Sequence, residues 1–226
     1  MQSTTSAAPI TTGFSDFDTL LQANGVPAGN ICTVRSDPNA SAYEFLLSVL
    51  QANHKKAHFI TTTHRKSSIV DACRRVGSNT VDSSRVIDLS DDATGADLLD
   101  AIAERSFDHR DVLFIDSLNA ITDGNKQVYS ELYRELKRIA TDYEAVVFCH
   151  YLTGSDEHQS LPPTVDYLTD LLLSLSVTKS EEGVKQKLWI ERLPVGEGLK
   201  ESQQDTRLIS VNSSSGQLSL NTGGRI

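Results

Sequence analysis

The sequence lacks the features that mark membrane and secreted proteins. None of its apolar runs approaches the roughly 18 to 20 residues needed to span a bilayer. The N-terminus has neither the basic region nor the apolar region of a signal peptide. The three cysteines are far apart and include no CxxC pair, so neither a disulfide framework nor a structural zinc site is expected. These absences favour a cytoplasmic protein with reduced thiols.

Positive charge is also scarce. Lys and Arg together number 21 against 30 Asp and Glu, which gives a formal net charge of −9. Such a surface repels nucleic-acid phosphates and anionic lipid, so no membrane partner is expected and nucleic acid is disfavoured. The 19 Asp outnumber the 11 Glu, and this acidic balance resembles that of halophilic proteins, which are adapted to high salt.

The apolar pattern predicts strands that alternate with helices. Predicted strands cover 31–34, 57–62, 85–89, 112–115 and 144–150, and the segments between them have helical spacing. This alternation predicts an α/β fold with a doubly wound, mostly parallel central sheet flanked by helices. From residue 166 the pattern changes to strands with a period of two, which predicts an antiparallel C-terminal strand extension. Its strands are predicted at 171–177, 187–193, 207–211 and 216–220.

No Gly/Ser/Pro-rich linker divides the 226 residues. We therefore predict a single domain over 1–226, because a chain of this length can bury one sizeable core. Within it we expect a flexible lead-in at 1–12, an α/β core at 13–165 and an antiparallel strand tail at 166–226.

The stretch DVLFIDSLNAI at 111–121 organises the rest of the chain. Its apolar run ends in Asp116, as in a strand that is buried on both faces and delivers a carboxylate to the edge of a parallel sheet. Ligands of open α/β sheets bind at that edge, and an Asp there commonly holds the Mg²⁺ of a nucleoside triphosphate. The alternative is an Asp that caps the next turn, with help from Ser117 and Asn119.

Three segments resemble the KaiC and RadA branch of the RecA superfamily, and archaeal KaiC-like proteins in particular. TGFSDFDTLLQANGVPAGN at 12–30 is similar to the entry segment, a T-G-hydrophobe-x-x-hydrophobe-D-x-L-L run that leads through a Gly-rich turn into the first strand. DVLFIDSLNAI resembles the Walker B strand, with Asp116 and Ser117 on its D-S pair. TVDYLTDLLLSL at 164–175 resembles the start of the antiparallel tail. The resemblance covers roughly residues 11–220 and implies a RecA-like P-loop NTPase fold.

The chain departs from this family at the phosphate loop, so its Walker A motif is degenerate. The family motif is GxxxxGK[ST], whose Lys reaches the β- and γ-phosphates and whose Ser or Thr binds Mg²⁺. The four matching positions hold other residues, namely Ser36, Ser41, Ala42 and Tyr43. Asp37 adds negative charge where a polyanion would lie, and Arg35 is the only nearby base in the sequence.

The catalytic position is replaced as well. In KaiC-like ATPases the second strand ends in a pair of glutamates, one of which activates the attacking water; the matching positions here are Thr63 and His64. An imidazole can act as a base near neutral pH, but without the loop lysine no γ-phosphate is held in place for it. We therefore predict no catalytic residue and no resident cofactor, and no hydrolysis of ATP by the family mechanism.

The leading hypothesis is a non-catalytic KaiC-like regulatory or scaffolding domain, a pseudo-ATPase that acts through a protein partner or self-assembly. The alternative is a divergent ATP-binding protein or ATPase that uses Asp116 for Mg²⁺ and the remodelled loop 35–43 for phosphate. It needs a cation, either Arg35 or a neighbouring subunit's Arg192. Its nucleotide-binding residues would be Arg35, Ser36, Asp37, Asn39, Ser41, Ala42, Tyr43, Asp116 and Ser117.

A weaker alternative is a nucleic-acid accessory protein. In RadA-like proteins the loops after the Walker B strand and the fourth core strand contact DNA. Here those loops are TDGNK at 122–126 and LTGSDEHQSLPP at 152–163, and Lys126 is their only Lys or Arg. Because loops that track a nucleic-acid backbone need basic side chains, a strand-exchange role is disfavoured.

The histidines suggest a second use of the sheet edge. His64 and His150 lie near the ends of predicted strands, where they could meet Asp116, and two His with a carboxylate form a known metal-ligand set. Alternation weakens this interpretation, because Cys149 and His150 point to opposite faces, and no metal is predicted. The other interpretation is that they hydrogen-bond loops above the sheet. The remaining histidines show no ligand spacing and are predicted to lie on the surface: His54, His58, His109 and His158.

Overall fold

The computed structural model describes residues 8–76, 82–91, 93–121, 125–153, 162–180, 183–195, 208–214 and 217–221. The helices are α1 (Ser15–Leu20), α2 (Ala42–Ala52), α3 (Lys66–Val76), α4 (Gly95–Ala103), α5 (Lys126–Asp142) and α6 (Pro163–Leu168), with a 3-10 turn at Ser83–Arg85. The strands are β1 (Asn30–Ser36), β2 (Ala57–Thr61), β3 (Val86–Asp88), β4 (Val112–Ile115), β5 (Val146–Leu152), β6 (Leu171–Ser180), β7 (Gly183–Arg192), β8 (Leu208–Ser214) and β9 (Gln217–Asn221).

Within the described ranges, nine strands form one sheet in the order β3-β2-β4-β5-β1-β6-β7-β8-β9. The first six pair in parallel, since a helix separates each from the next along the chain. The last three pairs, from β6 to β9, are antiparallel. The predicted α/β fold with an antiparallel extension is therefore confirmed. β6 belongs to both parts, because it pairs in parallel with β1 and antiparallel with β7, whereas the sequence pattern placed it in the antiparallel tail.

Two apolar layers cover the faces of the parallel strands. Helices α1, α2 and α3 pack in one layer and α4, α5 and α6 in the other, because alternate residues of each strand point to opposite faces. Phe59, Phe114 and Phe148 come from neighbouring strands and stack with ring centroids 5.9 and 5.4 Å apart. With both faces covered, the ends of the strands are where polar chemistry can be placed. In the described part of the chain no helix is long and apolar enough to cross a membrane.

The strand order brings three chain segments to one edge of the sheet. β5 lies between β1 and β4, so the carboxyl ends of these three strands are neighbours. They carry Ser36 on β1, Asp116 directly after β4 and His150 on β5. The edge that sequence patterning assigned to a ligand is thus assembled from residues far apart in the chain.

Asp18 fastens the entry segment to the core. Its carboxylate oxygens lie 3.0 and 3.1 Å from the backbone nitrogen of Thr12, 2.7 Å from Thr12 Oγ1 and 2.6 Å from Thr11 Oγ1. Gly13 has φ of 82°, and a Cβ there would lie 2.9 Å from Cβ of Ala52, so this turn requires glycine. The T-G and D positions of the entry segment therefore have a structural role.

Part of the lead-in predicted to be flexible is packed. Ile10 forms a two-bond bridge with Val26, with N to O distances of 2.8 and 2.9 Å, and both side chains are buried. Pairing with the turn after α1 gives Ile10 a buried position that composition does not reveal. The flexibility of the lead-in stays a prediction. Residues 1–7 lie outside the described residues.

We expect Asp18→Ala to lower the free energy of unfolding by about 2 to 3 kcal/mol, because buried donors lose a charged acceptor. Urea denaturation followed by circular dichroism measures the change. The matched control is Asp16→Ala in the same helix, whose carboxylate bonds to none of the described residues. Equal losses in the two variants would contradict the fastening role.

Candidate functional site

The end of β2 surrounds the carboxylate of Asp116. Oδ1 lies 2.7 Å from the backbone nitrogen of Thr62 and 2.9 Å from its Oγ1. Oδ2 lies 2.6 Å from Thr61 Oγ1, 3.0 Å from Thr63 Oγ1 and 3.2 Å from His64 Nδ1. Asp116 is 3% exposed, and a buried carboxylate is stable only when it is paired and hydrogen-bonded. Residues 61–64 supply every one of these donors.

Asp116 and His64 shift each other's titration in opposite senses. Burial raises the pKa of Asp116, but the hydrogen bonds from His64, Thr61 and Thr62 outweigh burial and hold it below the ordinary value. The hydrogen bond to Asp116 raises the pKa of His64 above the ordinary value, although partial burial lowers it. The contact therefore favours an ionised carboxylate beside a protonated imidazole.

Tyr43 covers His64. The phenol ring stacks on the imidazole with ring centroids 4.6 Å apart and planes 15° apart. Burial raises the pKa of Tyr43, so the phenol stays neutral. The sequence resemblance assigns these two positions to a metal-binding hydroxyl and to the end of the catalytic strand. In this chain their side chains contact each other.

His150 connects β5 to both neighbouring strands. Its Nδ1 lies 2.8 Å from the carbonyl oxygen of Asp116, and its Nε2 lies 2.8 Å from Ser36 Oγ. Since a carbonyl only accepts, Nδ1 carries the proton and Nε2 accepts from Ser36. Burial lowers the pKa of His150, which favours this neutral form. The pair has the arrangement of a nucleophile and its base, but Ser36 is only 2% exposed, which makes its hydroxyl a structural group.

The turn after Asp116 is stabilised by hydrogen bonds within it and by bonds to Thr62 and to β5. Thr62 Oγ1 lies 2.6 Å from the carbonyl oxygen of Ser117, and the backbone nitrogen of Asn119 lies 3.3 Å from Ser117 Oγ. The side chain of Asn119 bonds both the nitrogen and the oxygen of Leu152, at 2.6 and 2.8 Å. Ser117 and Asn119 thus stabilise the turn, whereas the Asp116 carboxylate bonds β2.

The loop from β1 to α2 folds as a β-turn. The backbone nitrogen of Ala40 lies 3.0 Å from the carbonyl oxygen of Asp37, with Pro38 at the second position. Residues 37–41 are all described, and none has a positive φ. The αR-αL form of a phosphate cradle, which turns successive N–H groups inward, needs a residue with positive φ. The Asp37 carboxylate instead accepts from the backbone nitrogen of Val177 at 2.8 Å.

The amide at the start of α2 is bound by a side chain of β7. The backbone nitrogen of Ser41 donates to Oε1 of Gln186 at 2.9 Å, and Nε2 of Gln186 lies 3.1 Å from Ser41 Oγ. Ala42 is buried at 2% exposure. Asn39 is exposed, and its side chain bonds none of the described residues. The loop is therefore tied to the antiparallel strands.

Both arginines considered as substitute cations are paired within the chain. Arg35 forms an ion pair with Glu191 and lies 3.2 Å from Ser174 Oγ. Arg192 forms an ion pair with Asp166 at 2.9 Å. These pairs connect β1 with β6 and β7, and β7 with α6.

Comparison with known families identifies the chain. A family model described as a family of unknown function, DUF7125, matches residues 9–205. The chain belongs to this family. No curated protein matches this chain, so curated relatives give no activity to test against the geometry.

Solved structures show the fold. This chain is similar to a KaiC-like protein from the hyperthermophilic archaeon Pyrococcus horikoshii, with a TM-score of 0.70 over 94% of this chain and 98% of that chain. The sequences are 12% identical, so the likeness shows the RecA-like, KaiC-like fold alone. In all, 714 chains of solved structures match, and a fold this common hosts many functions. Function must therefore be argued from the site.

Sequence reasoning identified Asp116 and missed what surrounds it. Thr61 and Thr62 bond its carboxylate, and Gln186 binds the start of α2, but none of these was a predicted site residue. The run TTTH at the end of a buried strand was the available signal, because a series of donors there suggests a nearby acceptor. Gln186 gave no signal, since its contact depends on the fold of β7.

The surface prediction was wrong for His58. This residue is 5% exposed, and its Nε2 lies 2.8 Å from Oδ2 of Asp111, which is 1% exposed. The pair is buried because Asp111, directly before β4, turns into the protein. His109 is exposed, His54 is half-buried and His158 lies outside the described residues. Among the residues described, no group of three His, Cys, Asp or Glu side chains could hold a metal ion.

We expect NMR titration to place the pKa of His64 above the ordinary histidine value, and Asp116→Asn to lower it, because the charged acceptor is lost. The folded-state pKa is raised, so the stability contributed by this contact is present below the unfolded value. It is lost as pH rises through the folded value. Glu144→Gln, a distant loss of one carboxylate, is the control and should leave the His64 curve unchanged. A His64 pKa that is the same with and without the Asp116 carboxylate would contradict the pairing.

Proposed function

We propose that this protein is a cytoplasmic KaiC-like pseudo-ATPase that acts as a regulatory or scaffolding protein through protein contacts. One observation carries the proposal. The residues at the carboxyl ends of the parallel strands, where a nucleotide would bind, bond one another instead. Asp116 is held by residues 61–64, and Tyr43 stacks on His64. A site built for Mg²⁺ and phosphate leaves its acceptor and its loop amides available for the ligand.

The energetics disfavour a nucleotide at this edge. A hydrogen bond to a charged group is worth about 1.5 to 3 kcal/mol, and Mg²⁺ would compete with several such bonds to Asp116. Ala42 supplies no cation to compensate, and the amide of Ser41 already donates to Gln186. Tyr43 would also have to leave its position on His64. Binding of a nucleotide would therefore break several existing contacts. The contact between the loop lysine and the phosphates, which stabilises the bound nucleotide in the family, would be missing.

The divergent-ATPase alternative has less support. It needs an unpaired cation near the loop, and both Arg35 and Arg192 form ion pairs within the chain. The nucleic-acid alternative is opposed by the net charge of −9. No geometric observation favours either one.

Exposed apolar side chains support contacts with proteins. Tyr167 is 84% exposed, Trp189 is 42% exposed and Val195 is fully exposed. Tyr and Trp are enriched in protein interfaces because they bring large area and a polar tip. A partner protein or further copies of this chain would cover them.

We expect calorimetric titration with Mg²⁺-ATP and Mg²⁺-ADP, in moderate and in high KCl, to show no binding tighter than about 1 mM. The two salt conditions address the acidic surface, whose repulsion of the nucleotide is screened in high salt. Micromolar binding that disappears in Asp116→Asn, with the fold intact by circular dichroism, would contradict the pseudo-ATPase proposal. It would favour the divergent ATPase.

For the protein contacts, we expect Trp189→Ser to weaken association, measured by light scattering for self-assembly and by pull-down for a partner protein. Trp is enriched among the few interface residues whose truncation costs about 2 kcal/mol or more of binding energy. The matched control is Tyr151→Ser, which removes a half-buried aromatic from β5. Association that Trp189→Ser leaves unchanged would place the contact surface elsewhere.

A further inference from the structure

The second apolar layer ends before the antiparallel part of the sheet. The apolar cluster beneath α1, α2 and α3 continues across β6 and β7, where it includes Leu173, Leu175, Leu188 and Ile190. The cluster beneath α4, α5 and α6 includes Leu172 of β6 and no residue of β7. The described part of the chain therefore packs one face of β6 and β7 and leaves the other face open beyond Leu172.

The open face of β6 and β7 combines short hydroxyl side chains with long or aromatic ones. Successive residues of a strand point to opposite faces, so the residues that alternate with the packed leucines lie here. The hydroxyls are on β6, and the larger side chains are opposite them on β7. These cross-strand pairs are Ser174 with Trp189, Ser176 with Lys187 and Thr178 with Lys185.

Positive charge predominates on the open face. Glu191 is the one acidic residue among those described there, and it already forms an ion pair with Arg35. Lys187 is half-buried, and its ammonium group pairs with none of the described residues. Lys185 is exposed. In a chain of net charge −9 this face has the opposite sign, so it attracts acidic groups of another molecule.

Trp189 gives the open face an apolar side chain. It is 42% exposed and is the single tryptophan of the chain. An antiparallel sheet that turns one face to water has polar side chains on that face, whereas tryptophan is enriched where two proteins meet. An indole beside lysines and hydroxyls is therefore better matched to a partner surface than to water.

α6 is the last helix of the second layer and is connected to β7. Val165 of α6 is buried in that layer, and Asp166 forms an ion pair with Arg192 at the end of β7, at 2.9 Å. Tyr167, the next residue of α6, is 84% exposed. A further helix on β6 and β7 would take the next position in this layer, beside α6.

We propose that the open face of β6 and β7 binds an acidic amphipathic helix of a partner protein. Apolar side chains of that helix would cover Trp189, and its carboxylates would contact Lys185 and Lys187. Amphipathic helices are commonly recognised in this way, by a few anchors on one face. The inference rests on the proposed function, which requires a protein partner, and it names the chemistry of that partner.

Fluorescence of Trp189 tests the proposal directly, because no other tryptophan contributes to the emission. We expect a synthetic helical peptide with Leu and Glu on one face to shift the emission of the full chain to shorter wavelength, with saturation. The matched probe is the same peptide with Lys in place of Glu. The net charge of −9 attracts the Lys peptide to the chain as a whole, so tighter binding of the Glu peptide requires a local surface of the opposite sign.

A charge reversal locates the binding surface. Lys187→Glu should weaken binding of the Glu peptide by at least about tenfold, because an attractive contact becomes a repulsive one. The matched control is Lys55→Glu, which makes the same change at an exposed lysine in the turn before β2. Its affinity should stay within about twofold of the original, since charges farther apart than the Debye length are screened.

The proposal is overturned if the Glu peptide gives no saturable shift, if the Lys peptide binds as tightly, or if the two variants lose equal affinity. Displacement of the Glu peptide by an equimolar single-stranded oligonucleotide would also overturn it, because the face would then be a nucleic-acid surface. None of these outcomes bears on the nucleotide titration. Micromolar nucleotide binding would remove the pseudo-ATPase function and leave the peptide result unchanged, so the two failures are distinguishable.

Discussion

The buried carboxylate of Asp116 is the constraint on which the ligand edge of this fold depends. A charge at the end of a central strand, beneath two layers of helices, must be compensated by nearby donors or by a bound cation. This chain compensates it with its own donors. That requirement explains the three successive threonines that begin at the last residue of β2, the position of His64 on Oδ2, and the partly buried ring of Tyr43 above the imidazole.

Other polar groups at the carboxyl ends of the strands are also satisfied by side chains of the same chain. His150 bonds Ser36 on one side and the carbonyl of Asp116 on the other, and Gln186 binds the amide of Ser41. Active sites usually hold polar groups in unfavourable states for the sake of a ligand, and this limits stability. Where those groups bond one another, the same positions stabilise the fold. In this RecA-like fold the polar residues at the ligand edge hydrogen-bond one another. Such a fold is suited to contacts with other proteins.

The sequence predicted more of the frame than of the site. Alternation of strands and helices, and the apolar run before Asp116, depend on local periodicity, which is visible in the chain. The donors around Asp116 depend on β2 and β4 being neighbours, and the Gln186 contact depends on the register of β7 against β6. His58 was misjudged for the same reason, because its partner Asp111 is distant in sequence and adjacent in space. Pairings set by topology are absent from any local pattern, and they decide what a polar residue does.

The position of β1 has a consequence for synthesis of the protein. Of the nine strands of this sheet it is synthesised first, yet it pairs with β5 and β6, which follow β2, β3 and β4 in the chain. Until they arrive, its buried residues Ile31, Cys32 and Val34 have no strand to cover their edges, and such segments associate with other chains. Folding that depends on pairings between distant segments is also slow, because loop closure must precede any gain. A chain that has emerged only as far as β4 therefore has both edges of β1, the strand at the centre of the sheet, without partners.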